Sequence, residues 1–537
     1  MDKFAAIVIG GGATGVGILR DLSMRGIPTL LIEQKDLAYG TSSRYHGLLH
    51  SGGRYAVKDA EAGAECIKEN EIMRRIGIYC VEATEGFFVQ TPEDDPAFET
   101  KWVESCKKVN IPVTQLSVKE ALLLEPNLNP NIKAVYRVPD AAIDGFRLMW
   151  QNVSSARKYG GKVKTYCKVT DILKTNGKIT GIKIHNMITN QDETIECSVI
   201  VSAAGSWAGE IAALAGINVH VQPDRGTLLA FNHRMTSRVI NRLRPAADGD
   251  IFVPHGSITI FGTTSSEAKE PDDTLPSTEE IIKLLELGEK MIPHLDNYRL
   301  LRAFTGTRPL YSADPSAKGR GASRNFVILD HGKDGVAGFY SIVGGKLTTY
   351  RLMAEKMTDA VCQYLNNSNP CRTAEEPLVE SPDDAELSTA KKLFPAYGAT
   401  LAAARLGKDG LKSVLTTIST NPYKKQIVCE CENVTLAELE QAAKDPTSFC
   451  LSDIRRKTRM GMGTCQGAFC TFRSVGAVNN LNLSWGNDIN DLFCEFLEAR
   501  YRGIRPLLWG RALRETELTR AIYEDSFNLN GVISHDL

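Results

Sequence analysis

An excess of charge is missing from this sequence: 63 Lys and Arg stand against 64 Asp and Glu over 537 residues, a formal net charge of −1. So balanced a chain offers no bulk electrostatic footing for nucleic acid or for an anionic membrane surface. Also missing is any stretch approaching the ~20 consecutive apolar residues that a bilayer-spanning helix requires. The first apolar run, Phe4 to Ile9, is only strand-length; it follows Asp2 and Lys3 and ends in glycines, unlike a secretory signal. The expectation is a cytoplasmic chain with no span of its own, whose membrane association comes through a partner. A disulfide framework is missing too, since the 13 cysteines are odd in number and scattered through a large chain. The run Arg455-Arg456-Lys457 reads as a solvated helix face.

What is present begins with an ordinary globular composition, 43% hydrophobic and 24% charged, over a length that implies two or three domains. Residues 5–9 read as a buried strand, 14–25 as a helix and 28–33 as a second strand. Asn176-Gly177 reads as a hairpin turn, and further strands are expected at Thr227–Phe231, Ile251–Val253 and Ser257–Gly262. Capping boxes at Ser117/Glu120, Ser277/Glu280 and Thr435/Glu438 mark helix starts, the second opening an apolar-periodic run to Ile292. Between Asn366 and Asp384 the chain turns polar, acidic and Pro-rich, as a linker does.

Ile7-Val8-Ile9-Gly10-Gly11-Gly12-Ala13-Thr14-Gly15 is a GxGxxG pattern between a strand and a helix. Gly10 permits a tight turn, Gly12 lets backbone approach a pyrophosphate, and Gly15 lets helix pack on strand. The helix start adds N–H groups and partial positive charge for phosphates. Glu33 ends the next strand, 18 residues past Gly15, where an acid bonds ribose hydroxyls. NAD would suit this turn as well as FAD. Two later segments favour FAD: a strand ending in small residues at Val199 to Gly205, and Gly344-Gly345-Lys346-Leu347-Thr348 placed before a helix. A second helix start of that kind stabilises negative charge on a reduced flavin ring.

Near the carboxyl end, Cys429-Glu430-Cys431 and Cys465-Gln466-Gly467-Ala468-Phe469-Cys470 are separated by 33 residues. Two close thiol pairs flanked by Gly461, Gly463 and Gly467 suit either zinc or a 2Fe–2S cluster. The spacing resembles bacterioferritin-associated ferredoxin, which favours the cluster. Cys450 falls outside the pattern and reads as core.

Gly40-Thr41-Ser42-Ser43, His50-Ser51-Gly52-Gly53-Arg54-Tyr55, Thr307-Arg308-Pro309-Leu310 and Gly344 to Arg351 carry a family likeness. Over about residues 1 to 365 the chain resembles FAD-dependent glycerol-3-phosphate dehydrogenases, within the glycine/D-amino-acid oxidase group; the added cysteine segment points to the anaerobic, quinone-linked branch. The resemblance implies oxidation of sn-glycerol 3-phosphate to dihydroxyacetone phosphate and electron flow through partner subunits at the inner membrane. It implies that Thr41, Ser42 and Ser43 lie along the FAD with Gly205, Gly344, Gly345, Lys346, Leu347 and Thr348. His50, Arg54, Tyr55, Arg308 and Lys346 would face the substrate. One departure is Ser51-Gly52-Gly53 where the family often has Gly-Gly-Leu.

The residue chemistry agrees with a phosphorylated alcohol. Arg54 and Arg308 suit bidentate phosphate contacts and Lys346 a point charge; His50 suits a base or proton relay. A structural role for His50 and a structural ion pair for Arg308 compete with these readings. So does a 2-hydroxy acid or amine as substrate, or a non-enzymatic electron-transfer role around the cysteines. The expected architecture is α/β, or α+β overall. A discontinuous Rossmann-like FAD domain (about 1–90, 145–215 and 320–365) would hold an inserted antiparallel substrate domain (about 91–144 and 216–319). A linker (366–384), a helical connector (385–425), a ferredoxin-like cysteine domain (426–475) and a helical tail (476–537) would follow.

Overall fold

The computed structural model describes residues 3–311, 325–394, 396–483, 485 and 488–526. They form two compact units, one within 1–228, 234–297 and 304–378, the other within 229–233, 298–303 and 379–526.

The first unit is built on β1 (Ala6–Ile9), α1 (Ala13–Met24) and β2 (Thr29–Ile32), the βαβ opening that the apolar runs lead one to expect. The sheet is completed by β3 (Lys162–Lys164), β4 (Val199–Ser202), β5 (Phe326–Asp330) and β6 (Phe339–Gly344) in the order β5-β6-β4-β1-β2-β3. All pairs are parallel except β5 with β6. A parallel strand is covered on both faces, which is why Ala6-Ile7-Val8-Ile9 has no polar alternation. Ala6 and Val8 face α1, the helix Gly145–Lys158 and α2 (Tyr350–Leu365). Ile7 and Ile9 face the three-stranded sheet Cys167–Thr175, Lys178–Asn186 and Gln191–Glu196. Its first turn is Asn176-Gly177, both residues at positive φ (50° and 72°), as a two-residue hairpin requires.

Among the described residues a nine-stranded sheet includes Gly86–Gln90, Gln222–Phe231, Ile251–His255, Ile258–Gly262 and Leu300–Leu310. Most of it is antiparallel, but Val239–Arg242 runs parallel to Gly86–Gln90. The boxes at Ser117/Glu120 and Ser277/Glu280 both form; the second helix, Thr278–Gly288, stops before Ile292. Residues beyond α2 pack back on this unit, where buried Arg20 donates to the carbonyls of Thr373 and Glu376.

In the second unit, helix Asp384–Leu393 and the helical stretch Ala396–Thr420, broken at Gly407 (φ 65°), precede a short hairpin, Ile427–Cys429 with Val434–Thr435. Helix Leu436–Ala443 starts at the Thr435/Glu438 capping box. Glu438 also takes a buried Arg405 at 2.7 Å, so one carboxylate fixes both the helix start and the loop after the first cysteine pair. The basic run on helix Leu451–Thr458 is not a solvated face. Arg456 lies 3.6 Å from Asp453 and Lys457 donates to Ser448 Oγ. Arg455 has its Nε shut off from solvent with no hydrogen-bond partner. No helix among the described residues is long and apolar enough to cross a membrane.

Candidate active site

Close packing dictates the glycines of the first turn. Gly10 sits at φ 113°, and a Cβ there would lie 2.6 Å from the Ala203 carbonyl; one on Gly15 would lie 1.9 Å from the Gly10 carbonyl. Two N–H groups of the turn are already engaged. Gly11 donates to Glu33 Oε2 at 2.6 Å and Ala13 to Ser42 Oγ at 2.9 Å. Glu33 accepts from Lys35 through its other oxygen, and burial pushes its carboxyl up despite these bonds. Each carboxylate oxygen keeps a second lone pair, enough to accept from ribose hydroxyls.

From Glu33 a cavity of about 480 Å³ runs past Gly10, Gly12, Thr41, Ser42, Ala203 and Gly205 to Gly344, Gly345, Lys346, Leu347 and Thr348. Gly15 supports it from behind, and Ser43, whose Oγ bonds the Gly40 carbonyl, is not in its wall. The far end again depends on glycine. Gly344 and Gly345 lie at φ 81° and 83°, and a Cβ on Gly345 would meet Met353 Sδ at 2.4 Å. An elongated cavity with a phosphate-type turn at one end and a helix start at the other fits FAD.

His50, Tyr55, Arg308 and Lys346 line this cavity. A wider one of about 1060 Å³ is lined by His50, Arg54, Tyr55 and Arg308. His50 is placed by its backbone: its N–H donates to Thr348 Oγ1 at 3.1 Å, and Ser51 N–H donates to buried Asp140 at 2.6 Å. Its ring meets Tyr55 edge-on at 5.4 Å, and Lys346 Nζ lies 5.1 Å above the Tyr55 ring. Arg54 pairs with Asp250 at 2.7 Å, a carboxylate shared with Arg244. Arg308 pairs with Asp224 at 2.5 Å and donates to Thr263 Oγ1 and the Thr264 carbonyl. The structural ion pair weighed for Arg308 is thus present while its side chain still borders both cavities. Lys346 makes no ion pair among the described residues. Arg54, Arg244 and Arg308 against Asp250 and Asp224, with Lys346 added, leave the region cationic.

Sequence reasoning missed the carboxylates Asp140, Asp224 and Asp250, and it missed His46, which borders both cavities. Only the His46/His50 spacing could have flagged the last.

The four cysteines of the second unit gather as two touching pairs, Cys429 with Cys470 and Cys431 with Cys465. The Cys470 contact, followed by N–H groups of Gly461 and Glu432, draws the Cys429 thiol down to about 7. Gly467 and Phe469 donate to Cys465. Among the described residues no group of three or more His, Cys, Asp or Glu side chains is set to hold a metal ion. Arg455 lies in the field of Cys470 with Arg302, Arg456 and Arg459 also near.

The parallel sheet, glycine turn, terminal acid and long cavity define a dinucleotide-binding protein of the oxidoreductase type. The chain belongs to the FAD-dependent oxidoreductase family, whose model matches residues 5–351. It is 40% identical over 521 residues to one subunit of the anaerobic glycerol-3-phosphate dehydrogenase of Escherichia coli K12, covering 96% of each chain. With an anaerobic glycerol-3-phosphate dehydrogenase subunit of Haloferax volcanii it shares 40% identity over 547 residues, 98% of this chain and 90% of that one. Among solved structures it resembles a glycerol-3-phosphate dehydrogenase from Bacillus halodurans complexed with FAD. That match has a TM-score of 0.72 at 23% identity, over 95% of this chain and 97% of the other.

Proposed function

We propose that this chain oxidises sn-glycerol 3-phosphate to dihydroxyacetone phosphate with FAD in the long cavity. The observation that carries the reading is 40% identity, sustained over 96% of the chain, to a protein named for that dehydrogenase activity. Glu33 and the Gly10–Gly15 turn would hold the adenosine and pyrophosphate, with Thr41, Ser42 and Gly205 along the middle and Ser43 bracing the turn from outside the cavity wall. Gly344, Gly345, Leu347 and Thr348 would hold the flavin ring. When bound, FAD supplies the acceptor for the hydride that leaves the alcohol carbon.

The remaining work falls to side chains. A phosphate dianion is bound by the cationic group Arg54, Arg308 and Lys346. Because Arg54 and Arg308 are already fixed by Asp250 and Asp224, little side-chain entropy is lost when substrate arrives. His50 takes the proton of the hydroxyl as carbon loses hydride, and Tyr55, between His50 and Lys346, orients the polyol. The nine-stranded sheet is the substrate domain in this reading, since Asp224, Asp250 and Arg308 stand on or beside its strands.

Cys429, Cys431, Cys465 and Cys470 are assigned to a 2Fe–2S cluster in a ferredoxin-like segment, 426–475, with zinc as the alternative. Supporting this are the donor set of four thiols, the N–H groups around them and the unpartnered Arg455 Nε. Such a centre, held by these four thiols, would supply one-electron transfer toward companion subunits and membrane quinone, on the cytoplasmic side. That the relatives are named as one subunit of a larger dehydrogenase supports companions.

Steady-state assay with an artificial electron acceptor tests the substrate. With a two-electron acceptor, glycerol 3-phosphate should be turned over to dihydroxyacetone phosphate in equal amount to acceptor reduced. A higher kcat/KM for 2-hydroxyglutarate or an amine would overturn the assignment.

A further inference from the structure

Among the cavity side chains to which the proposed chemistry gives no task is His46. His46 lies between the turn Thr41–Ser43 and the strand Leu48–Leu49, four residues before His50, and its side chain borders both cavities. Its Nδ1 accepts the Leu48 N–H at 3.2 Å. A ring nitrogen that accepts cannot carry a hydrogen, so the proton of the neutral imidazole resides on Nε2.

The loop that presents this ring is fixed as firmly as its tautomer. His255 Nε2 donates to the His46 carbonyl at 3.0 Å. That approach is possible because residue 47 is glycine at φ 77°; a Cβ there would lie 2.0 Å from the His255 nitrogen. The His50 ring lies edge-on to His46 at 5.7 Å. Among the described residues Nε2 has no hydrogen-bond partner, and it is not sealed from the cavity.

Charge decides what such a group can do. Burial pushes the His46 pKa down to about 3, with Arg54, Arg308 and His255 adding to the effect. The ring therefore stays neutral beside two guanidinium groups. A third cation here would be repelled by Arg54 and Arg308, whereas a neutral N–H adds a hydrogen bond without that cost. With its proton on the cavity side, His46 cannot accept one from the substrate hydroxyl.

We propose that His46 is a fixed, neutral hydrogen-bond donor to the phosphate of the substrate, beside Arg54 and Arg308. This rests on the glycerol 3-phosphate reading and adds to it a specificity residue distinct from the proton-accepting His50.

The test is anaerobic stopped-flow reduction of the flavin in the holoenzyme by glycerol 3-phosphate. In His46→Ala the Kd for substrate should rise roughly ten- to a hundredfold, the loss typical of a donor to a charged acceptor. The limiting rate of reduction should stay within about twofold, because a bond made equally in ground and transition states affects binding alone. His46→Gln, whose amide nitrogen reaches the Nε2 position, should restore Kd to within about threefold of wild type. If the alanine variant loses its flavin, His46→Asn, whose amide reaches only the Nδ1 position, carries the same expectation as alanine.

An unchanged Kd in a flavin-loaded variant lacking the donor would overturn the proposal. So would a fall in limiting rate at constant Kd. If wild-type flavin is not reduced by glycerol 3-phosphate at all, the substrate reading itself fails, a result separable from either variant outcome.

Discussion

Arg54, Arg308 and His46 show how neighbours change what a residue type means. Both guanidinium groups carry carboxylate partners, and the imidazole in the same cavity is kept neutral, chiefly by burial. The His46 shift has a consequence for stability, since its folded value of about 3 lies below the ordinary 6.5. Between those values the unfolded chain binds the proton and the folded chain does not, so stability rises with pH across the window. Acidification from pH 6.5 to 5 should cost up to about 2 kcal/mol through this group. Thermal melting should therefore fall less steeply over that range in His46→Gln than in wild type; parallel curves would contradict the assignment. Gly10, Gly12, Gly15 and Glu33 were legible in the sequence because their geometry is local, set within one βαβ unit. Asp224, Asp250 and Asp140 were not. They reach the site from strands or loops 84, 196 and 89 residues away from their partners, and no periodicity carries that information.

At the scale of elements, two helices hold the His50 turn from behind. On the helix Ala60–Ile76, Glu69 accepts two hydrogen bonds from Arg351 of α2, at 2.6 and 2.8 Å, with both side chains buried. Asn70 of the same helix donates to the carbonyls of Leu49 and His50. Removing one member of such a pair strands a buried charge, at a typical cost of about 3–5 kcal/mol. Glu69→Ala should accordingly lower the melting temperature by several degrees and weaken flavin retention, while Glu69→Gln does less harm. Equal melting of the alanine variant and wild type would show that the pair holds nothing. Capping boxes were readable from spacing alone, as at Ser117, Ser277 and Thr435. Strand order was not: Val239–Arg242 runs parallel to Gly86–Gln90, a choice made by the packed sheet. The basic run at Arg455 misled for a related reason, because the groups that set its surroundings, Arg302 and Cys470 among them, lie far away in the sequence.

For the whole molecule, the proposed division of labour has the first unit reduce flavin and the cysteine-bearing unit pass electrons on. Cys429→Ser should abolish bound iron and its electron paramagnetic signal on reduction, yet leave FAD content and substrate bleaching of the flavin within about twofold of wild type. Full iron content in that variant would remove Cys429 from the ligand set, and zinc in place of iron in the wild type would end the electron-transfer reading. Glycerol 3-phosphate as the substrate underlies each of these expectations. Anaerobic titration of the FAD-loaded protein with glycerol 3-phosphate should bleach the flavin absorbance and yield one dihydroxyacetone phosphate per electron pair taken up. Flavin that stays oxidised with glycerol 3-phosphate but bleaches with a 2-hydroxy acid or an amine would contradict it.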